Sequence, residues 1–145
     1  MVVFYSRNGA TKKFAQALAK VKGDRLFELS AKGGRGNLVV EVFRSLTKKN
    51  VELLQMPKLG AGETAYLCTP VWAGTFPAAM RSFINGADLK GRPVKLLLTC
   101  GDPNTQQYAD GFTKQMAEMG IEVAGCVALR GKEDPANHRD ALEAL

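Results

Sequence analysis

The chain alternates short runs of β-branched and aromatic residues with stretches in which apolar residues recur every three to four positions, and it does so five times. Val2-Val3-Phe4-Tyr5 reads as a strand and Ser6 to Thr11 as a small, polar turn. Ala10, Phe14, Ala17, Leu18 and Val21 then share one helical face, with Lys12, Lys13, Gln16 and Lys20 opposite. Gly23 stops that helix, and Arg25–Leu29 supplies a second strand. Residues 30–36 form a loop by composition, after which Asn37 caps a helix expected to bury Leu38, Val39, Val42, Phe43 and Leu46. Beyond Pro57–Gly62, Thr64–Thr69 reads as a strand covered on both faces, as a parallel sheet requires. A helix opens at Pro77 and ends at Gly86, and Val94–Thr99 is a fourth strand. A helix carrying Tyr108, Phe112, Met116 and Met119 runs to Gly120, Ile121–Leu129 is a fifth strand, and Asp134-Pro135 opens a last helix.

Five β/α units with short connections predict an α/β architecture in one domain over residues 1–145: an open, doubly wound parallel sheet of order 2-1-3-4-5 with helices on both faces. In such sheets ligands bind outside the carboxyl ends of the strands where the order reverses. The expected site is therefore the loops after strands one, three and four, at residues 6–11, 69–77 and 99–104.

Composition narrows the chemistry. With 46% hydrophobic and 23% charged residues among 145, the chain is long enough and apolar enough to fold around a core. Cys68, Cys100 and Cys126 are odd in number and form no CxxC pair, which excludes a disulfide scaffold and gives a metal cluster little to build on. Cys68 and Cys126 read as buried small hydrophobes, Cys100 lies nearer the expected site, and the lone histidine, His138, reads as a solvated surface residue. The five methionines read as packing. No apolar run reaches the ~20 residues of a membrane span, and no leader segment is recognisable at the start, so a cytoplasmic chain without membrane insertion is expected. Charge is uneven: residues 1–58 carry 12 Lys and Arg against 4 Asp and Glu, and the remainder carries 8 against 10. The cations are dispersed and not interleaved with aromatics, which points to acidic partners or anionic ligands and away from nucleic acid.

Ser6–Thr11 runs from a strand into a helix N-terminus and offers hydroxyls, an amide and a glycine. An anion there would gain backbone N–H contacts and the positive end of the helix dipole. Equally, Ser6 and Asn8 could simply cap the helix. Neither a GxxxxGK[ST] nor a GxGxxG pattern is present.

Val2-Val3-Phe4-Tyr5-Ser6-Arg7-Asn8-Gly9-Ala10-Thr11 resembles the phosphate loop of flavodoxin-like FMN-binding proteins. Thr69-Pro70-Val71-Trp72-Ala73-Gly74-Thr75-Phe76-Pro77 is similar to that family's Pro-x-Trp-x-Gly flavin loop, and Thr99-Cys100-Gly101-Asp102 resembles its third loop. All three stand in the family's order over residues 1–119. Asn8 replaces a usual threonine, the first strand is short enough to suggest a start upstream of Met1, and the basic balance departs from acidic carriers.

The resemblance implies a flavodoxin-like three-layer α/β/α fold and FMN as cofactor. It implies that Ser6, Arg7, Asn8, Gly9, Ala10 and Thr11 hold the phosphate, mainly through backbone amides, and that Thr69, Pro70, Val71, Trp72, Ala73 and Gly74 flank the flavin ring with the Trp72 indole stacked on it. Thr99, Cys100, Gly101 and Asp102, with Tyr108 beyond, would meet the pyrimidine edge. Asp102 would either disfavour added negative charge on the ring or cap the next helix. Gly74, free to adopt positive φ, would let a peptide turn toward the ring with redox state.

Three functions are compatible with this reading. One is an electron carrier passing electrons to redox partner proteins with an acidic docking surface. The second is an NAD(P)H-dependent quinone or FMN reductase, and the third is a flavin-free interaction module. The absence of a Ser/His/Asp or Cys/His set, and of a long lid, favours the carrier.

Overall fold

The computed structural model describes residues 1–34 and 36–145; Arg35, within the loop expected over 30–36, lies outside the described residues. In chain order the elements are β1 (Val2–Phe4), α1 (Ala10–Lys22), β2 (Leu26–Glu28), α2 (Leu38–Leu46), β3 (Ala65–Pro70), α3 (Ala78–Gly86), β4 (Val94–Cys100), α4 (Thr105–Glu118), β5 (Val123–Arg130), a 3₁₀ turn (Pro135–His138) and α5 (Arg139–Ala144). The strands pair in parallel in the order β2-β1-β3-β4-β5. The order therefore reverses between β1 and β3, as the β/α alternation predicts.

Period-two alternation sends side chains to two cores. Val3, Tyr5, Leu67, Leu96 and Leu98 face the layer of α3 and α4, where Met80, Phe83, Phe112 and Met116 cover them. Val2, Phe4, Cys68 and Leu97 face α1 and α5, against Phe14, Leu18 and Leu142. A register shift at Val94/Lys95 leaves Ala124 as an extra residue in β5. Caps fall where composition puts them: Asn37 accepts a hydrogen bond from the Val39 amide at 2.9 Å, Gly23 ends α1 at φ +61°, and Asp134 accepts from the Ala136 amide at 2.9 Å.

One face is inverted relative to expectation. Of the five residues of α2 expected to be buried only Val42 is even half-buried; Val39, Phe43 and Leu46 are 72%, 62% and 55% exposed and Leu38 is exposed too, while Glu41 and Ser45 are buried. The cause lies beneath the helix. The Glu41 carboxylate accepts from the Tyr5 hydroxyl and the Arg7 guanidinium, each at 3.0 Å, and from the Gly36 amide at 2.9 Å. The Ser45 carbonyl accepts from the buried Arg81 guanidinium at 3.0 Å. Buried donors without acceptors cost several kcal/mol, about 2–7 for neutral groups and more for a charge, so this helix meets the core with its polar side. Burial of Arg81 pulls its pKa down.

Two smaller expectations also change. His138 is not simply solvated: its Nε2 lies 2.7 Å from a Glu133 carboxylate oxygen and its ring packs 6.0 Å from that of Phe14. Cys126 is half-buried, its thiol pushed up to about 11 by burial, while Cys68 is fully buried and shifted upward by desolvation. Met1, Met80 and Met116 pack in the core, whereas Met56 is exposed. No helix among the described residues is long and apolar enough to cross a membrane.

Candidate functional site

The carboxyl ends of β1, β3 and β4 open onto a cleft of about 470 Å³. Arg7, Asn8 and Ala10 line it from the first loop, Pro70, Val71 and Trp72 from the second, and Thr99, Cys100 and Gly101 from the third. Nine of the residues singled out in the sequence thus meet in one cavity.

The first loop enters α1 through Gly9 at φ +88°, a conformation that suits glycine. Ser6 Oγ accepts from the Gly9 amide and Asn8 Oδ1 from the Ala10 amide, each at 3.2 Å, so both side chains brace the loop. Ser6 and Thr11 are buried behind the cleft. Thr11 spends its hydroxyl on Thr99, oxygen to oxygen 2.7 Å, which leaves its backbone amide as its group for a ligand. α1 has no acidic residue in its first turn, so the positive end of its dipole is uncompensated. Arg7 is turned to Glu41 and to the Gly36 carbonyl, both at 3.0 Å, and its charge is largely matched there.

The second loop is a two-residue hairpin. Trp72 and Thr75 exchange backbone hydrogen bonds of 3.4 and 3.0 Å, with Ala73 at φ +48° and Gly74 at φ +70° at the tip. Two left-handed residues in sequence form the turn whose twist matches a hairpin. Trp72 is fixed edge-on to Tyr5, centroids 5.7 Å apart at 85°. Val71 donates its amide to the Thr99 carbonyl at 2.9 Å, tying this loop to the third. The hairpin is anchored from two helices: Gln115 Nε2 donates to the Gly74 carbonyl at 2.9 Å, and Arg81 donates to Thr75 Oγ1 at 2.6 Å. Ala73 and Gly74 themselves are exposed and do not line the cleft, and Thr69 is buried beneath it.

In the third loop, Cys100 is buried and its thiol is pushed upward, first by burial and then by Asp102. Asp102 and Tyr108 do not line the cavity. They bond each other, Tyr108 hydroxyl to Asp102 Oδ2 at 2.7 Å, while Asp102 Oδ1 accepts from the Asn104 amide at 2.9 Å. Asp102 therefore braces the turn into α4, whose capping position is Asn104.

Three lining residues escaped the sequence reading: Leu38 from the start of α2, and Gly131 and Lys132 from the end of β5. Gly131 donates its amide to the Cys100 carbonyl at 2.9 Å, and a Cβ there would sit 3.4 Å from that of Ala10. The signal was available, since Gly131-Lys132 follows a strand of the same parallel sheet. Glu41, Arg81 and Gln115 left no comparable signal, because each is tied across the fold to a partner (Arg7, Ser45 and Gly74) that lies 34, 36 and 41 residues away in sequence.

No protein-family model and no curated protein matches this chain. Solved structures do. A protein of Bacteroides uniformis classed as a flavoprotein superposes with a TM-score of 0.77 at 19% identity, over 99% of this chain and 94% of its own. A Lactobacillus acidophilus flavoprotein solved in complex with FMN gives 0.73 at 19%, over 97% and 95%. The flavodoxin of Streptococcus pneumoniae gives 0.55 at 16%, over 99% and 93%. The likeness at these identities is one of architecture, and with the strand order 2-1-3-4-5 it identifies the chain as having the flavodoxin-like α/β fold.

Proposed function

We propose that this chain binds FMN in the cleft at the ends of β1, β3 and β4 and serves as an electron carrier. The observation that carries this reading is the meeting of the Asn8–Ala10 turn, the Trp72 hairpin and the Thr99–Gly101 loop around one cavity of about 470 Å³. The donor set suits the group: an anion-ready helix start at one end, an indole and apolar side chains in the middle, and loop backbone at the far edge. The solved relative that holds FMN shares this fold over nearly its whole length.

The backbone amides of Asn8 and Thr11 would hold the phosphate, aided by the uncompensated positive end of α1, while the Gly9 and Ala10 amides are engaged by Ser6 Oγ and Asn8 Oδ1 and shape the loop. Lys132, next to Gly131 in the turn after β5, would add positive charge to the cleft wall. Pro70, Val71 and Trp72 would cover the ring and exclude water, and the Tyr5 edge contact keeps the indole from rotating. Gln115 and Arg81 hold the hairpin that carries Trp72. Bound there, FMN would supply reversible uptake and release of electrons. Among the described residues, the cleft lining includes no carboxylate and no histidine.

The test is reduction of the FMN-loaded protein by NAD(P)H. A carrier accepts electrons only when a separate reductase is present. Steady NAD(P)H oxidation without one would replace this reading with the NAD(P)H-dependent reductase.

A further inference from the structure

We infer that the outward stripe of α2 is the docking face for an acidic electron-carrier protein, an assignment that rests on the carrier reading above. Val39, Phe43 and Leu46 stand at i, i+4 and i+7 on the exposed side of the helix, a stripe about 10 Å long. A helix of this pattern normally turns such a stripe inward. Here the inward side is taken by Glu41 and Ser45 for hydrogen-bonding reasons, and the apolar side is left to solvent. Leu38, at the start of the same helix, belongs to the lining of the cleft, so the stripe begins one residue away from the proposed flavin site.

Charge selects the occupant. Arg44 on α2, and Lys48 and Lys49 just beyond its end, are exposed, and none of the three joins an ion pair among the described residues. The helix's one carboxylate, Glu41, is turned inward and bound. A second copy of this chain would bring the same three cations against these, which disfavours self-association. Three side chains in a compact stripe match the central anchor of a protein interface. The fitting partner presents an apolar centre edged by aspartates and glutamates. In that arrangement Phe43 and Leu46 supply affinity, while Arg44, Lys48 and Lys49 steer approach to this face of α2.

The probe is an acidic [2Fe–2S] ferredoxin, titrated calorimetrically into the protein, with FMN affinity measured separately by fluorescence. The expected result is one-to-one binding that weakens with salt, at least about tenfold weaker binding for Phe43→Ser and for the Lys48→Glu/Lys49→Glu pair, and unchanged FMN affinity in both variants. Absence of ferredoxin binding, or binding indifferent to Phe43→Ser, overturns the assignment. So does a Phe43-dependent dimer in sedimentation, which would make the occupant a second copy, or Phe43-dependent attachment to phosphatidylglycerol vesicles without ferredoxin binding, which would make it a lipid surface. Loss of FMN binding with ferredoxin binding intact removes the flavin reading and leaves the surface standing.

Discussion

Thr11 Oγ1 and Thr99 Oγ1 lie 2.7 Å apart in a buried hydrogen bond that joins the start of α1 to the end of β4. It ties the first loop of the cleft to the third, so the two cannot spread independently. Thr99→Val would leave the Thr11 hydroxyl buried without this partner and should destabilise the protein by about 1–3 kcal/mol. The double variant Thr11→Val/Thr99→Val should recover part of that loss, because both polar groups are then gone. Urea unfolding of the three variants measures this, and strictly additive losses would deny the coupling.

Glu41 satisfies a hydroxyl, a guanidinium and an amide from three segments. Glu41→Ala should therefore cost roughly 3 kcal/mol, well above the loss from truncating an exposed residue of the same helix such as Val39. Equal unfolding midpoints for the Glu41 and Val39 alanine variants would show that the inward polar face does not hold α2.

Gln115 holds the carbonyl of Gly74 at 2.9 Å, which restrains the tip of the hairpin in which the flavin-loop resemblance would have a peptide turn with redox state. Gln115→Ala should change global stability by no more than about 1 kcal/mol, since its contacts are at the surface. It should nevertheless weaken FMN binding several-fold and alter the separation of the two one-electron potentials of the bound flavin. Potentials identical to those of the parent protein would show that the hairpin needs no anchor from α4.

The Tyr108 phenol holds the Asp102 carboxyl below its ordinary range, helped by the Asn104 amide, and the same bond holds the phenol above its own. A lowered carboxyl pKa gives stability that is present above the unfolded value of about 3.9 and is lost as pH falls through the folded one. A raised phenol pKa gives stability present below about 10 and lost as pH rises through its folded value. Tyr108→Phe should thus be less stable than the parent from about pH 4 to 10, with the difference closing at both ends. A difference constant across chemical denaturation at acid, neutral and alkaline pH would contradict this.

Strand order, helix positions and nine cleft residues were legible because each rests on local pattern: β-branched runs, helical periodicity, a capping residue, a glycine at positive φ. The face of α2 was not. Periodicity identifies Val39, Phe43 and Leu46 as neighbours on one side, and it says nothing of which side meets the core when a buried Tyr5 hydroxyl and Arg81 guanidinium need acceptors. The resemblance puts Asp102 and Tyr108 at the ligand edge, and the structure adds what it could not show: they bond each other at 2.7 Å and do not line the cleft. Lys132 was passed over because the order reverses between β1 and β3, which draws attention away from the end of β5.

The most direct test of the flavin site is titration of flavin-free protein with FMN and with riboflavin, followed by flavin fluorescence, on the parent chain and on Trp72→Ala. The expected result is one-to-one quenching by FMN, much weaker binding of riboflavin because the Asn8 and Thr11 amides would then lack their anion, and at least about tenfold weaker FMN binding for Trp72→Ala. Equal affinity for the two flavins would remove the phosphate role from the first loop, and binding of neither would contradict the account as a whole.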